Sequence, residues 1–176
     1  LQLEIPLKTV YEAIALGRKH NVPVLLNPAP ADPNLELAQI RGCSYIVLNS
    51  AELNMLTHMS TGTSEEIEVA AARICENDID NVIVVLEGRG VMWVSSTGAR
   101  PLLAAPTITL DTTSARDAFI GSFGHHLVST GNVERSLELA IASQAPLAEG
   151  VFRPSSQPLS RSKPLRENNG RFNVSK

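Results

Sequence analysis

Three short apolar runs limit the folds open to this chain: residues 22–26 (Val-Pro-Val-Leu-Leu), 45–48 (Tyr-Ile-Val-Leu) and 82–86 (Val-Ile-Val-Val-Leu). A strand with one wet face alternates apolar and polar residues, whereas a run that is apolar throughout belongs in a sheet covered on both faces. Helical patterns lie between the runs. Leu7, Val10, Ala13, Ile14 and Gly17 make one stripe at helical spacing, and Ala70, Ala71, Ile74 and Cys75 make another. Strands alternating with helices predict an α/β open sheet with helices on both faces. In such sheets the ligand lies outside the carboxyl ends of the strands.

The rest of the chain fits this frame. Residues 1–5 alternate like a strand that Pro6 ends, and the Asn27-Pro28-Ala29-Pro30-Ala31 stretch is a loop no helix can cross. Asn49 opens a helix running to Thr57, and Ser64 opens one running to about Glu76. Residues 87–90 (Glu-Gly-Arg-Gly) read as a turn, 91–94 as an antiparallel return strand, and Thr97-Gly98 as a hairpin tip. One or two strands are expected in 101–110, and helices at 118–130 and 133–145. Asn27, Asn49, Glu87 and Asp117 each follow a predicted strand, so they should gather on one edge of the sheet.

Bulk properties exclude several functions. With 176 residues, 43% apolar and 19% charged, the chain suits one soluble globular domain. No apolar run reaches the length of a membrane span and no signal peptide is visible. Cys43 and Cys75 form no CxxC pair and read as reduced core residues, which points to the cytoplasm. From Val151 onward there are six Lys/Arg and one Glu. That basic Pro/Ser-rich tail, 158–176 in particular, lacks an aromatic stacking pattern, so it reads as solvated and disordered rather than as a nucleic-acid surface. The adjacent His125 and His126 point to different sides of a helix and make no metal pair.

The chemistry concentrates in Leu110-Asp111-Thr112-Thr113-Ser114-Ala115-Arg116-Asp117-Ala118-Phe119. It ends an apolar run, turns through small polar residues and opens a helix, with Asp117 expected in the first turn. There the exposed amides bind anions, and a carboxylate can take a proton from an incoming hydroxyl. The bland reading makes Asp117 a helix cap. The segment resembles the Asp-Thr-Thr-Gly-Ala-Gly-Asp-x-Phe signature of ribokinase-like carbohydrate kinases, with Ser114 and Arg116 in place of the two glycines. Residues 2–6 and 26–31 also resemble ribokinase.

The resemblance implies a three-layer, mostly parallel ribokinase-like sheet in residues 1–157. It spans the C-terminal half of that fold, with no counterpart of the N-terminal half or the β-lid. A complementing N-terminal half, a homodimer or a truncated product is therefore expected, with no nucleic-acid or membrane partner. It further implies ATP-dependent phosphorylation of a sugar hydroxyl, ribose to ribose 5-phosphate, with ATP, Mg²⁺ and K⁺. Asp117 would be the base, and Ser114, Ala115 and Arg116 the anion hole. Asn49, Gly88, Gly90 and Gln144 would contact ATP. Glu52, in the Asn-x-x-Glu motif, would hold Mg²⁺ through water, and Asp111 and Thr113 would hold K⁺. The residues also allow a second outcome: an inactive remnant, or a nucleotide-binding or interaction module. Asn49 with Glu52 is equally an ordinary capping box, and Gly88 with Gly90 an ordinary tight turn. Arg116 either contacts phosphate or fills its loop. Val85 and Glu87 replace a threonine and a glycine of the family's Thr-Leu-Gly-x-x-Gly segment, and Glu87 would repel a triphosphate.

Overall fold

A computed structural model describes residues 1–86, 88–103 and 113–144. Among these residues, five strands, β1 (Leu25–Leu26), β2 (Tyr45–Asn49), β3 (Asn81–Leu86), β4 (Gly90–Ser95) and β5 (Gly98–Leu103), form one sheet in that order. β1, β2 and β3 are parallel, while β4 and β5 run antiparallel. Five α-helices accompany them: α1 (Leu7–Lys19), α2 (Ser50–Thr57), α3 (Ser64–Cys75), α4 (Thr113–Thr130) and α5 (Val133–Ala142).

Period-two alternation divides the core. Ile46, Leu48, Val82, Val84 and Leu86 join Val10 and Ile14 of α1, Leu53 of α2, and Ile67, Ala70 and Ile74 of α3 on one face. Val47, Ile83, Val85 and Val91 point the other way, onto Phe119 and Phe123 of α4 and Leu137, Ala140 and Ile141 of α5. The result is the expected three-layer arrangement of helices, sheet and helices. Each large side chain so buried contributes about 1.5–3 kcal/mol. Phe119 and Phe123 lie one turn apart on α4 with near-parallel rings 6.4 Å apart, and Tyr45 meets Phe123 edge-on at 5.8 Å. These rings seat α4 against the sheet and so fix where its N-terminal end lies.

The chain's first residues lie along the β1 edge without adding a strand to the sheet. The Leu1 amino group donates to Leu25 O at 2.8 Å, Asn27 N to Leu1 O at 2.9 Å, and Leu3 N to Ala29 O at 2.9 Å. Leu1 thus makes a single parallel-type bridge between Leu25 and Asn27, but Leu3 bonds to Ala29 rather than to Asn27, so the pattern does not continue as a ladder. Leu1 remains 44% exposed along this edge. Gly17 explains how closely α1 lies over the next connection: a Cβ there would come within 2.4 Å of Val24 Cγ2.

Five of the expected elements differ in extent or placement, each for a local reason. Pairing of the 22–26 run begins only at Leu25, because Val22 N closes the end of α1 on Gly17 O at 2.9 Å and Pro23 has no N–H. The strand predicted over 1–5 does not form, because after Leu1 the chain bends and Leu3 N bonds out of register to Ala29 O. α5 ends at Ala142, before the predicted 145, where Ser143 N and Gln144 N close onto Leu139 O and Ile141 O at 3.0 and 3.1 Å. The largest difference is in α4, which begins at Thr113 rather than at residue 118. With Ser114 and Arg116 where glycines would stand, no residue between Thr113 and Asp117 resists helix. The antiparallel return is as predicted, while the hairpin tip falls one residue earlier than predicted, at 96–97, because Gly98, at φ +115°, already pairs with Ser95 as the first residue of β5.

Candidate functional site

The site is assembled at the carboxyl ends of β1, β2 and β3 and the N-terminal end of α4. Asn27 leaves β1 buried, and its side-chain amide donates to Val47 O at 2.8 Å, tying the ends of β1 and β2 together. β2 runs straight into α2, whose N-cap is Asn49. Asn49 Oδ1 accepts from Glu52 N at 2.8 Å, and Glu52 Oε2 accepts from Asn49 N at 3.0 Å. This is a complete capping box, so two of α2's orphan amide groups are satisfied by their own neighbours. Asn49 Nδ2 also donates to Glu52 Oε1, at 3.2 Å.

Glu52 is only 8% exposed, and a buried carboxylate needs a partner of opposite charge. That partner is Arg116. Its Nη1 lies 3.1 Å from Glu52 Oε1, with the arginine side chain 15% exposed. The guanidinium reaches Glu52 from the first turn of α4 across the gap between two helix starts. Its Nε is buried with no hydrogen-bond partner. Sequence reasoning placed both residues in one site but left Arg116 either to touch phosphate or to fill its loop. Their opposite charges on two elements expected at one edge were the only signal of the pairing.

Asp117 follows directly. Because α4 starts at Thr113, Asp117 is the fifth helical residue and not part of the first turn, which corrects the expectation from a later helix start. Its own amide therefore lies inside the helical hydrogen-bond pattern rather than at the open end. The side chain is exposed and lines a cleft with Leu1, Gln2, Leu25, Asn27, Ile120 and Gly121. Helical side chains lean toward the N-terminus, so the carboxylate is carried back toward the first turn. Ser114 is exposed in that turn, beside the partly buried Ala115.

The other candidate positions are more dispersed. Gly88 and Gly90 form the β3–β4 turn with φ of +62° and +108°, closed by Arg89 N donating to Leu86 O at 3.0 Å. They adjoin the same edge through β3, whose Val85 is in register with Asn49. Gln144 is buried just past α5, where its Nε2 donates to Ser143 Oγ at 3.1 Å and its Oε1 has no partner. Glu87, Asp111 and the side chain of Thr113 lie outside the described residues, as does everything from residue 145 onward. Both cysteines are free. Burial pushes the Cys43 thiol up to about 12, and Cys75 is raised by burial and by the nearby Asp80 charge.

The arrangement does not fit a divalent cation at Glu52 as it stands. Both carboxylate oxygens already accept hydrogen bonds, and a full positive charge sits at 3.1 Å. Among the described residues no group of three His, Cys, Asp or Glu side chains could hold a metal, and no helix is long and apolar enough to cross a membrane.

Comparison with known proteins agrees with this architecture. The chain is 38% identical to a deoxyribokinase of Salmonella typhi over 158 residues, covering 90% of this chain and 52% of the relative. It is 34% identical to a ribokinase of Schizosaccharomyces pombe over 180 residues, covering 100% of this chain and 55% of the relative. The structure of Arabidopsis thaliana ribokinase complexed with ribose and ATP superposes with a TM-score of 0.76 at 26% identity, over 85% of this chain and 48% of that one. The chain thus spans about half the length of the curated relatives it matches. Residues 1–153 match the pfkB family carbohydrate kinase, and with a match over most of its length this chain belongs to that family.

Proposed function

We propose that this chain carries the phosphoryl-transfer edge of a kinase that moves the terminal phosphate of ATP to the hydroxymethyl group of a pentose, in the cytoplasm. Ribose, giving ribose 5-phosphate, is the expected acceptor, and deoxyribose is the close competitor suggested by the deoxyribokinase relative. The observation that carries the reading is the placement of Asp117. It is an exposed carboxylate in a cleft at the carboxyl ends of parallel strands, leaning toward the start of an 18-residue helix.

In this reading Asp117 takes the proton of the primary hydroxyl. The freed oxygen attacks the terminal phosphorus, the bond from that phosphorus to the bridging oxygen breaks, and ADP leaves. Charge developing on the transferred group faces the positive end of α4, where helix termini favour anions. Asn27 holds the cleft floor in place by its bond to Val47 O. The glycines of the β3–β4 turn allow close backbone approach by the nucleotide phosphates. Gln144 would lie toward the nucleotide base, and Asp111 with Thr113 would serve K⁺. The charge at Glu52 is balanced by Arg116.

The test is production of ADP from ATP with ribose or deoxyribose, in buffer containing Mg²⁺ and K⁺. Asp117→Asn is expected to reduce turnover by at least about 100-fold, the low end of a general-base contribution. Turnover that survives this substitution would eliminate the mechanism.

A second reading is favoured by the Arg116–Glu52 pair: a nucleotide-binding or interaction module without turnover. Calorimetry separates the two, since ATP binding without ADP production belongs to the module alone.

A further inference from the structure

We infer that Arg116 is a resident counter-cation that keeps divalent metal ions off Glu52. The inference draws on the kinase reading only in naming Glu52 as the carboxylate expected to hold metal.

Three observations converge. The ion pair is direct and largely dry, with 3.1 Å between Nη1 and Oε1 and exposures of 15% and 8%. The carboxylate cannot swing away to serve a second cation, because Asn49 holds it through both its backbone and side-chain amides. The remaining route is displacement of Arg116. That would leave a mostly buried guanidinium unpaired, and its Nε already lacks a partner. Mg²⁺ also gives up its water reluctantly and takes carboxylates with space for its hydration shell. The donor that occupies this space carries a fixed charge that no ordinary pH removes. The position of Arg116, in the first turn of α4, makes the exclusion part of the site's own frame.

The probe is Mn²⁺ alone, followed by electron paramagnetic resonance on the full chain without nucleotide or sugar. The unaltered chain is expected to show no Mn²⁺ binding that Glu52→Gln removes. Arg116→Gly and Arg116→Gln should each raise Mn²⁺ affinity at least about tenfold, which corresponds to roughly 1.4 kcal/mol. Adding Glu52→Gln to either should abolish the gain. Arg116→Lys keeps the positive charge and should show no gain. Circular dichroism checks folding, and Arg116→Gln, which keeps a donor for Glu52, decides the matter if the glycine variant unfolds. Mn²⁺ bound through Glu52 in the unaltered chain, or a gain in the lysine variant, overturns the inference. Because no turnover is read, loss of kinase activity with this metal pattern intact would count against the proposed function alone.

Discussion

α2 and α3 both begin on a side chain that caps the helix, with a glutamate three residues later reaching back to the cap's amide. In α3, Thr63 Oγ1 accepts from Glu66 N at 3.2 Å, and Glu66 Oε2 accepts from Thr63 N at 3.2 Å and Gly62 N at 2.7 Å. All of that happens at the surface among near neighbours. In α2 the same construction is partly buried, with its glutamate buried, and Glu52 also pairs with a guanidinium belonging to a different helix. Local chemistry is therefore the same at the two sites, and tertiary placement alone makes one an ordinary cap and the other part of a candidate active site. A buried charge answers to the rest of the molecule, while an exposed one answers mainly to its own turn.

The sharpest way to break this comparison is to remove the long-range partner. Arg116→Met keeps most of the side-chain volume but leaves Glu52 buried and unpaired. We expect a loss of about 3 kcal/mol in urea unfolding, the scale of a broken buried pair. Adding Glu52→Gln should restore much of it, and purely additive losses would show that the two groups are not coupled. The caps come next. Asn49→Ala removes a cap and a donor to a buried carboxylate, so about 2 kcal/mol is expected, against about 1 kcal/mol for Thr63→Ala. Equal losses would mean that burial adds nothing to the α2 cap. Glu66→Gln keeps an acceptor for the box and should change stability by no more than about 0.5 kcal/mol.

The same contrast explains what could be read from the sequence. Layers and faces were legible because 45–48 and 82–86 are apolar throughout and α1 and α3 carry one-sided stripes, patterns that depend only on repeat length. The gathering of Asn27, Asn49 and the start of α4 on one edge followed from strand direction. The pairing of Arg116 with Glu52 did not, because it joins residues far apart in the chain and no local pattern encodes it. The early start of α4 was also missed. The turn-like composition of residues 111–116 outweighed the fact that Ser114 and Arg116 are both compatible with helix. The capping box was legible as such, but sequence could not say that Glu52 would be buried and Glu66 would not.

The smallest effect sharpens the surface side of the comparison. Glu65, next to the α3 cap, is held below the usual glutamate value of 4.5 by a hydrogen bond with its own backbone and one with the Thr63 side chain. The helix N-terminus favours the same charged form. A carboxylate with a depressed folded pKa adds stability above its unfolded value, and that stability is lost as pH falls through the lower folded value. Glu65 is fully exposed, so the readout is its titration rather than a melting curve. Side-chain carbon NMR should place its midpoint below 4.5, and Thr63→Ala should move it back up by removing one of the two hydrogen bonds. A midpoint at or above 4.5 in the unaltered chain would mean that the α3 start does not hold its acidic neighbour. The contrast with α2 would then rest on Glu52 and Glu66 alone.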